Sequence, residues 1–183
     1  FAALPGLLGG GSGTGGADGG SAGAPDRSGN DYDGDPLRIR LTSPWDVAYS
    51  PELAGFVIAM AGNHTIWLLA EDLRSVRRLA GTMNEGLQDG PGAQAWFAQT
   101  SGLAVSDDGR VWLADSEVSA VRWLEPVGEA RPAREVVAHT AVGAGLFDFG
   151  HRDGSADQAL LQHPLGVAVL PDGSVVIADT YNG

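Results

Sequence analysis

The sequence GTMNEGLQDGPGAQAWFAQTSGLAVSDDGRVWLADSEVS at residues 81–119 returns, without a gap, as GLFDFGHRDGSADQALLQHPLGVAVLPDGSVVIADTYNG at residues 145–183. The turn pair Asp89-Gly90 is repeated as Asp153-Gly154, and the pair Ala114-Asp115 is repeated as Ala178-Asp179. Self-similarity over this distance indicates one supersecondary unit stacked several times, with a hydrophobic core formed between neighbouring copies. The repeat therefore decides the fold.

A third, looser copy lies upstream, where SPWDVA at residues 43–48 corresponds to HPLGVA at residues 163–168. Short apolar runs separated by turns predict four strands in each of the first two copies. They are expected at 47–49, 56–59, 65–69 and 76–80, and again at 103–106, 110–114, 120–124 and 134–138. Four antiparallel strands per repeat are typical of a β-propeller blade. We therefore predict an all-β chain that forms a partial propeller of about two and a half blades.

The composition excludes several partners. The chain of 183 residues has a formal net charge of −12 and no cysteine. Because nucleic-acid affinity depends on clustered basic side chains, we expect no nucleic-acid partner. No apolar run approaches the roughly 20 residues that span a bilayer, so we expect no membrane insertion. The lack of cysteine excludes disulfides and thiol chemistry in these residues but does not fix the compartment, and a cytoplasmic location is our expectation.

The first forty residues differ from the rest in composition. Twelve glycines fall within residues 1–35, and few side chains there could form a core. We predict a linker or expanded loop at 1–40, rich in Gly, Ser and Asp. The propeller segment follows at 41–183, with repeats at about 41–98, 99–162 and 163–183. Because the chain lacks an initiator Met and its last repeat stops early, we interpret it as a fragment of a longer protein.

The segments 89–101 and 153–165 are predicted to connect one blade to the next. Each begins with an Asp-Gly turn and continues with small and apolar residues. We expect Phe97 and Leu161 to fill the space between adjacent sheets, where burial of such a side chain contributes about 1.5–3 kcal/mol.

Several strings resemble a known family. VIADTYN at residues 176–182 and VWLADS at 111–116 resemble the core of NHL repeats. Four longer strings, in this order, are similar to NHL repeat-containing protein 2 and its bacterial relatives: SPWDV at 43–47, IAMAGNHTIW at 58–67, FAQTSGL at 97–103 and LQHPLGV at 161–167. The resemblance covers about residues 41–183. It implies a six-bladed propeller in the full protein, preceded by a thioredoxin-like domain.

The copies depart from one another at two places. Met60 stands where the other copies have Asp115 and Asp179, and Val118-Ser119 replaces Asn63-His64. We infer that the roles of these side chains are not needed in every blade, which favours a structural role over a catalytic one.

The candidate site residues are mostly carboxylates. Asp115 and Asp179 each follow a strand and precede a turn, and we predict that they accept backbone N–H bonds in Asx-type turns. Asn63 and Asn182 are predicted to be structural residues of the same turns. Asp46, beside an inner strand, is the candidate for a cation ligand at the channel. Because no nucleophile elbow, zinc or phosphate-binding motif is present, we assign no catalytic and no cofactor-binding residue.

Two functions remain open at this point. The first is a non-catalytic propeller scaffold without a cofactor, whose loops bind a protein partner or a small ligand. The alternative is a six-bladed hydrolase, lactonase or lyase, in which channel carboxylates such as Asp46 hold a divalent cation, calcium in the simplest case. The fold alone does not decide between them, because propellers host many functions.

Overall fold

The chain was analysed as a computed structural model, which describes residues 33–182. These residues form antiparallel β-sheets and three short 3-10 helices, at Pro36–Arg38, Ala61–Asn63 and Thr180–Asn182. The strands are β1 (Asp33–Gly34), β2 (Pro44–Ser50), β3 (Gly55–Met60), β4 (Thr65–Ala70), β5 (Val76–Ala80), β6 (Gly90–Pro91), β7 (Thr100–Val105), β8 (Val111–Asp115), β9 (Ala120–Val127), β10 (Glu135–Val142), β11 (Gly166–Val169) and β12 (Val175–Ala178).

The strands are arranged as successive propeller blades. Blade 1 has the strand order β1-β5-β4-β3-β2, and blade 2 has the order β6-β10-β9-β8-β7. Blade 3 is represented by the hairpin of β11 and β12. The inner strands β2, β7 and β11 pack side by side from one blade to the next. The prediction of an all-β partial propeller is confirmed.

Each complete blade carries a short fifth strand at its outer edge. Gly34 pairs with Val76 of β5, and Gly90 pairs with Ala138 of β10 in the corresponding register. The structural repeat therefore begins near residue 33, inside the segment that we assigned to a linker at 1–40. Sequence reasoning missed this strand because two residues are too few to show the period-2 alternation of a strand.

The main hydrophobic core lies between blades 1 and 2. Blade 1 contributes Val57, Ala59, Ile66 and Leu68 from β3 and β4, and blade 2 contributes Leu103, Val111, Leu113, Leu124, Val136 and Ala138. Phe97, from the connecting segment, is fully buried in this core, as predicted. Leu161 occupies the corresponding place at blade 3 but is only half-buried. Its lower burial follows from the two strands that blade 3 presents, where blade 2 presents a full sheet.

The hairpin turns at the inner strands have the glycines that their geometry requires. Gly109 and Gly173 both have a φ of +84°, a conformation that favours glycine. The turns leave the inner strands β7 and β11 in equivalent positions. No helix within residues 33–182 is long and apolar enough to cross a membrane.

Candidate functional site

The carboxylate of Asp115 binds the segment that enters its own blade. One oxygen accepts a hydrogen bond from the Ala98 backbone N–H at 2.9 Å and another from the Thr100 hydroxyl at 3.0 Å. We had placed Asp115 in an Asx-type turn, which would use N–H groups a few residues further on. The partners lie 15 and 17 residues earlier instead. Asp115 therefore fastens the connecting segment to the end of β8.

Asp179 makes the equivalent bond in blade 3. Its Oδ1 accepts from the Gln162 backbone N–H at 2.7 Å, again 17 residues earlier in the chain. Asn182 donates from its side-chain amide to the second oxygen of Asp179 at 2.6 Å and to the Gly150 carbonyl at 2.8 Å. Both residues thus hold the connecting segment of blade 3 against its second strand.

Blade 1 keeps this bond with a different acceptor. Met60 replaces the aspartate, and its sulfur lies 3.2 Å from the backbone nitrogen of Thr42, which donates to it. Thr42 corresponds to Ala98 and Gln162 in the repeat. We had inferred that this role is not needed in every blade. The contact is present in all three, and only the chemistry of the acceptor changes.

A buried arginine joins the Asp115 contact to the rest of blade 2. The Arg122 guanidinium lies 3.1 Å from Asp115 Oδ2 and 2.9 Å from Asp89 Oδ1. It also donates to the carbonyls of Gln88, at 2.9 Å, and Trp96. Asp89 in turn accepts from the Thr140 backbone N–H at 2.9 Å. One side chain on β9 thereby holds the connecting segment, β8 and β10 together.

The electrostatics of this cluster are dominated by burial. Desolvation raises the pKa of the Asp115 carboxyl above its usual range, and the Arg122 guanidinium and the Ala98 N–H oppose that shift. The guanidinium also lies over the Phe97 ring, 4.4 Å from its centre. Its Nε has no hydrogen-bond partner among the described residues. Asp115 and Arg122 are therefore fully buried and paired with each other, whereas the Asp89 side chain is partly exposed.

A second bond crosses the seam between neighbouring blades. His64 Nδ1 accepts the Gln99 backbone N–H at 3.1 Å, across the seam of blades 1 and 2. At the next seam the Ser119 hydroxyl accepts the His163 backbone N–H at 3.2 Å. His64 and Ser119 are equivalent in the repeat, and both have a positive φ, +57° and +50°. We had inferred that the role of His64 is not needed in every blade. The equivalent hydrogen bond is nevertheless present at both seams, with Ser119 as the acceptor in place of His64.

Asp46 is placed on the inner strand β2, beside blade 2. Its Oδ2 accepts the Leu103 backbone N–H of β7 at 2.8 Å, and its Oδ1 accepts the Val47 N–H at 2.8 Å. Both oxygens therefore already have backbone donors, one of them across the seam. In the part of the chain that the structure describes, no group of three or more His, Asp or Glu side chains could hold a metal ion.

Asn63 is the last residue of the short 3-10 helix between β3 and β4. Its side-chain oxygen accepts the Thr65 hydroxyl proton at 2.6 Å, and the Thr65 oxygen accepts from the Trp67 indole N–H at 2.8 Å. This chain of bonds fixes the start of β4. Asn63, Asp46 and Asp115 each bind different partners, so the sequence-predicted residues form separate contacts along the blades.

An open groove separates the inner hairpins of blades 2 and 3. It has a volume of about 520 Å³ and lies between the turn at 106–109 and the turn at 170–173. Trp112 and Leu170 line its apolar part, and Asp107 and Asp172 line its acidic part. The groove is open to solvent and is lined by residues of both blades.

The fold and the repeated connecting bonds define the class of protein. The family model of the NHL repeat matches residues 161–183, the stretch that includes Asp179 and Asn182. The chain belongs to the NHL-repeat β-propellers.

Several relatives of the chain are named for the same repeat. The chain is 36% identical to SUPPRESSOR OF QUENCHING 1, chloroplastic, of Arabidopsis thaliana, over 84% of this chain and 15% of that protein. It is 35% identical to NHL repeat-containing protein 2 of Bos taurus and 34% identical to that of Homo sapiens, over 78% of this chain and 22% of each relative. The chain thus spans less than a quarter of the length of these relatives.

Solved structures with low sequence identity share the fold. A protein of unknown function from Bacteroides thetaiotaomicron superposes with a TM-score of 0.62 at 19% identity, over 72% of this chain and 31% of that one. An auxiliary nutrient binding protein from Bacteroides ovatus superposes with a TM-score of 0.57 at 20% identity, over 73% and 34%. At these identities the likeness establishes the propeller architecture.

Proposed function

We propose that this segment is a non-catalytic propeller scaffold that binds a protein partner or a small ligand, within a longer protein that also has a thioredoxin-like domain. One observation carries the proposal. Asp46, Asp115 and Asp179 are the carboxylates that the sequence singles out, and each accepts a backbone N–H that ties a blade to its connecting segment or to the next blade. These carboxylate oxygens are therefore engaged in hydrogen bonds that hold the blades together.

The groove between blades 2 and 3 supports the binding part of the proposal. It combines an indole, aliphatic side chains and carboxylates at a junction of two blades, a mixture that suits a ligand with apolar and hydrogen-bonding groups. The Bacteroides ovatus neighbour is described as a nutrient binding protein, so the same fold serves binding there.

Metal content and turnover distinguish the scaffold from the alternative enzyme. Asp46→Asn keeps an oxygen acceptor for the Leu103 N–H and removes the negative charge that a cation needs. We expect elemental analysis of the purified protein to find divalent cations at background level in both wild type and Asp46→Asn. We also expect neither protein to hydrolyse a panel of lactones. Stoichiometric calcium in the wild type that disappears in Asp46→Asn would overturn the proposal and support a metal-dependent hydrolase.

A ligand panel tests the binding part. Sugars, amino acids and short peptides are added to the protein, and the melting temperature is measured for the wild type and for Leu170→Ala. A ligand that occupies the groove raises the melting temperature of the wild type by mass action and shifts the variant less. Equal shifts in the two proteins would place the ligand elsewhere.

A further inference from the structure

The two seams of the propeller are closed by equivalent bonds with unequal chemistry. A ring nitrogen, His64 Nδ1, accepts the Gln99 N–H at the seam of blades 1 and 2, and a hydroxyl oxygen, Ser119 Oγ, accepts the His163 N–H at the next seam. Imidazole changes its protonation state near neutral pH, whereas a serine hydroxyl does not. The molecule therefore contains one seam whose acceptor can be protonated near neutral pH and an equivalent seam whose acceptor cannot.

We propose that protonation of His64 opens the connecting segment at Gln99 and loosens the seam between blades 1 and 2, so that mild acid acts on one seam of the propeller only. The geometry carries this inference. Because the Gln99 N–H donates to Nδ1, that nitrogen has a free lone pair and the ring proton sits on Nε2. In the imidazolium form both nitrogens carry protons, and an N–H would face an N–H.

The His64 side chain is half-buried, and the acids that contact the connecting segment at Gln99 are held by other partners. Four acids belong to elements that contact the connecting segment around Gln99. Asp115 binds Ala98 and Thr100, Asp46 binds Leu103, Glu85 forms a β-bridge with Phe97, and the Glu117 N–H donates to the Ala98 carbonyl while its carboxylate lies beside His163. Asp46 and Asp115 bind backbone donors, and Arg122 pairs with Asp115. Among the described residues, the His64 ring has no ion pair or second hydrogen bond.

Two other histidines show the opposite arrangement. His163 Nε2 lies 3.5 Å from a Glu117 carboxylate oxygen, and His139 Nε2 lies 3.2 Å from Glu125. Each of these rings lies beside a carboxylate, an arrangement that His64 does not share. Acid is therefore expected to weaken the first seam, while the second seam keeps its Ser119 bond, because a serine hydroxyl does not titrate in this range.

Amide hydrogen exchange resolved at Gln99 and His163 tests the proposal. Exchange is measured at about pH 7.5 and about pH 5.5, on either side of the ordinary histidine pKa, and corrected for the intrinsic pH dependence of exchange. We expect the protection factor of the Gln99 amide to fall about tenfold in the wild type on acidification, the size of one lost hydrogen bond. The His163 amide should keep its protection.

Two variants distinguish loss of the His64–Gln99 hydrogen bond from general unfolding. His64→Asn suits the left-handed backbone at this position, and its side-chain oxygen is an acceptor that does not titrate. We expect the Gln99 amide of His64→Asn to have the same protection at both pH values. His64→Ala removes the acceptor, so that low protection is expected at both. A wild-type Gln99 amide that is equally protected at both pH values, or a fall that persists in His64→Asn, would overturn the proposal.

Discussion

Asp115 and Arg122 form an ion pair, 3.1 Å from Oδ2 to Nη1, in which both side chains are 0% exposed. They stand on adjacent strands, β8 and β9, and each also binds the connecting segment that enters blade 2. A buried pair of this kind costs desolvation when it forms, but loss of one partner leaves an uncompensated charge in the interior. The stability of blade 2 therefore depends on the contacts that this pair makes with the connecting segment.

The first prediction is that Asp115→Ala lowers the free energy of unfolding by about 3–5 kcal/mol, because the Arg122 charge is left buried. Asp179→Ala is the matched control: Asp179 makes the same backbone bond but is only half-buried, and about 0.5–2 kcal/mol is expected. Chemical denaturation measures both. Equal losses in the two variants would show that the ion pair adds nothing beyond the shared hydrogen bond.

The second prediction concerns coupling between the paired residues. Arg122→Met keeps most of the side-chain volume but strands the Asp115 carboxylate, so a loss of about 3–5 kcal/mol is expected. The double variant with Asp115→Leu removes both charges, and its loss should be well below the sum of the two single losses. A double-mutant cycle with no coupling energy would mean that the two side chains act independently.

The third prediction concerns the side chains between the sheets. Phe97→Ala removes a fully buried ring from the core of blades 1 and 2 and should cost about 3–5 kcal/mol. Leu161→Ala changes the equivalent, half-buried position and should cost clearly less. The comparison uses denaturant midpoints. A larger loss for Leu161→Ala would place more of the folding energy at blade 3 than its burial indicates.

The fourth prediction concerns the close approach of inner strands. A Cβ added at Gly102 would lie 2.8 Å from the Leu165 carbonyl oxygen and 3.1 Å from the Gly166 Cα. Gly102→Ala should therefore push β7 and β11 apart and cost about 1–3 kcal/mol. At Gly166 the added Cβ would meet only the Ala178 Cβ, at 3.4 Å. Gly166→Ala is thus the tolerated control, and equal stability of the two variants would contradict this packing.

The fold could be predicted from the sequence because the features that determine it lie within short stretches of the chain. Alternating apolar residues, the Asp-Gly turns and the shift of 64 residues fix the strands and their order. Phe97 could be placed between the sheets for the same reason, since its position in the connecting segment recurs. The edge strand at 33–34 was not predicted, because it is two residues long and lies next to a glycine-rich stretch.

The partners of the carboxylates could not be predicted in the same way. An aspartate after a strand has an obvious local use in its own turn, whereas Asp115 binds Ala98, which the propeller brings to it from 17 residues earlier. Arg122 was missed altogether, although a signal exists. It is an arginine inside the otherwise apolar run at 120–124, and a buried cation requires acids such as Asp89 and Asp115 nearby.

The roles of differing residues were also hidden in the sequence. Met60 and Asp115 look unrelated, and so do His64 and Ser119, but each pair presents an acceptor to the same backbone N–H in successive blades. The position conserves a hydrogen bond and not a residue type. Which atom accepts is decided by the three-dimensional packing of the blades.

The measurement that most directly tests the structural use of the carboxylates is backbone amide exchange in Asp46→Ala, Asp115→Ala and Asp179→Ala. We expect each variant to lose protection first at the amide its carboxylate holds, which is Leu103, Ala98 and Gln162 in turn. Metal content and any turnover should stay at background throughout. Unchanged protection at these three amides, together with loss of a bound cation or of a catalytic activity, would contradict the scaffold.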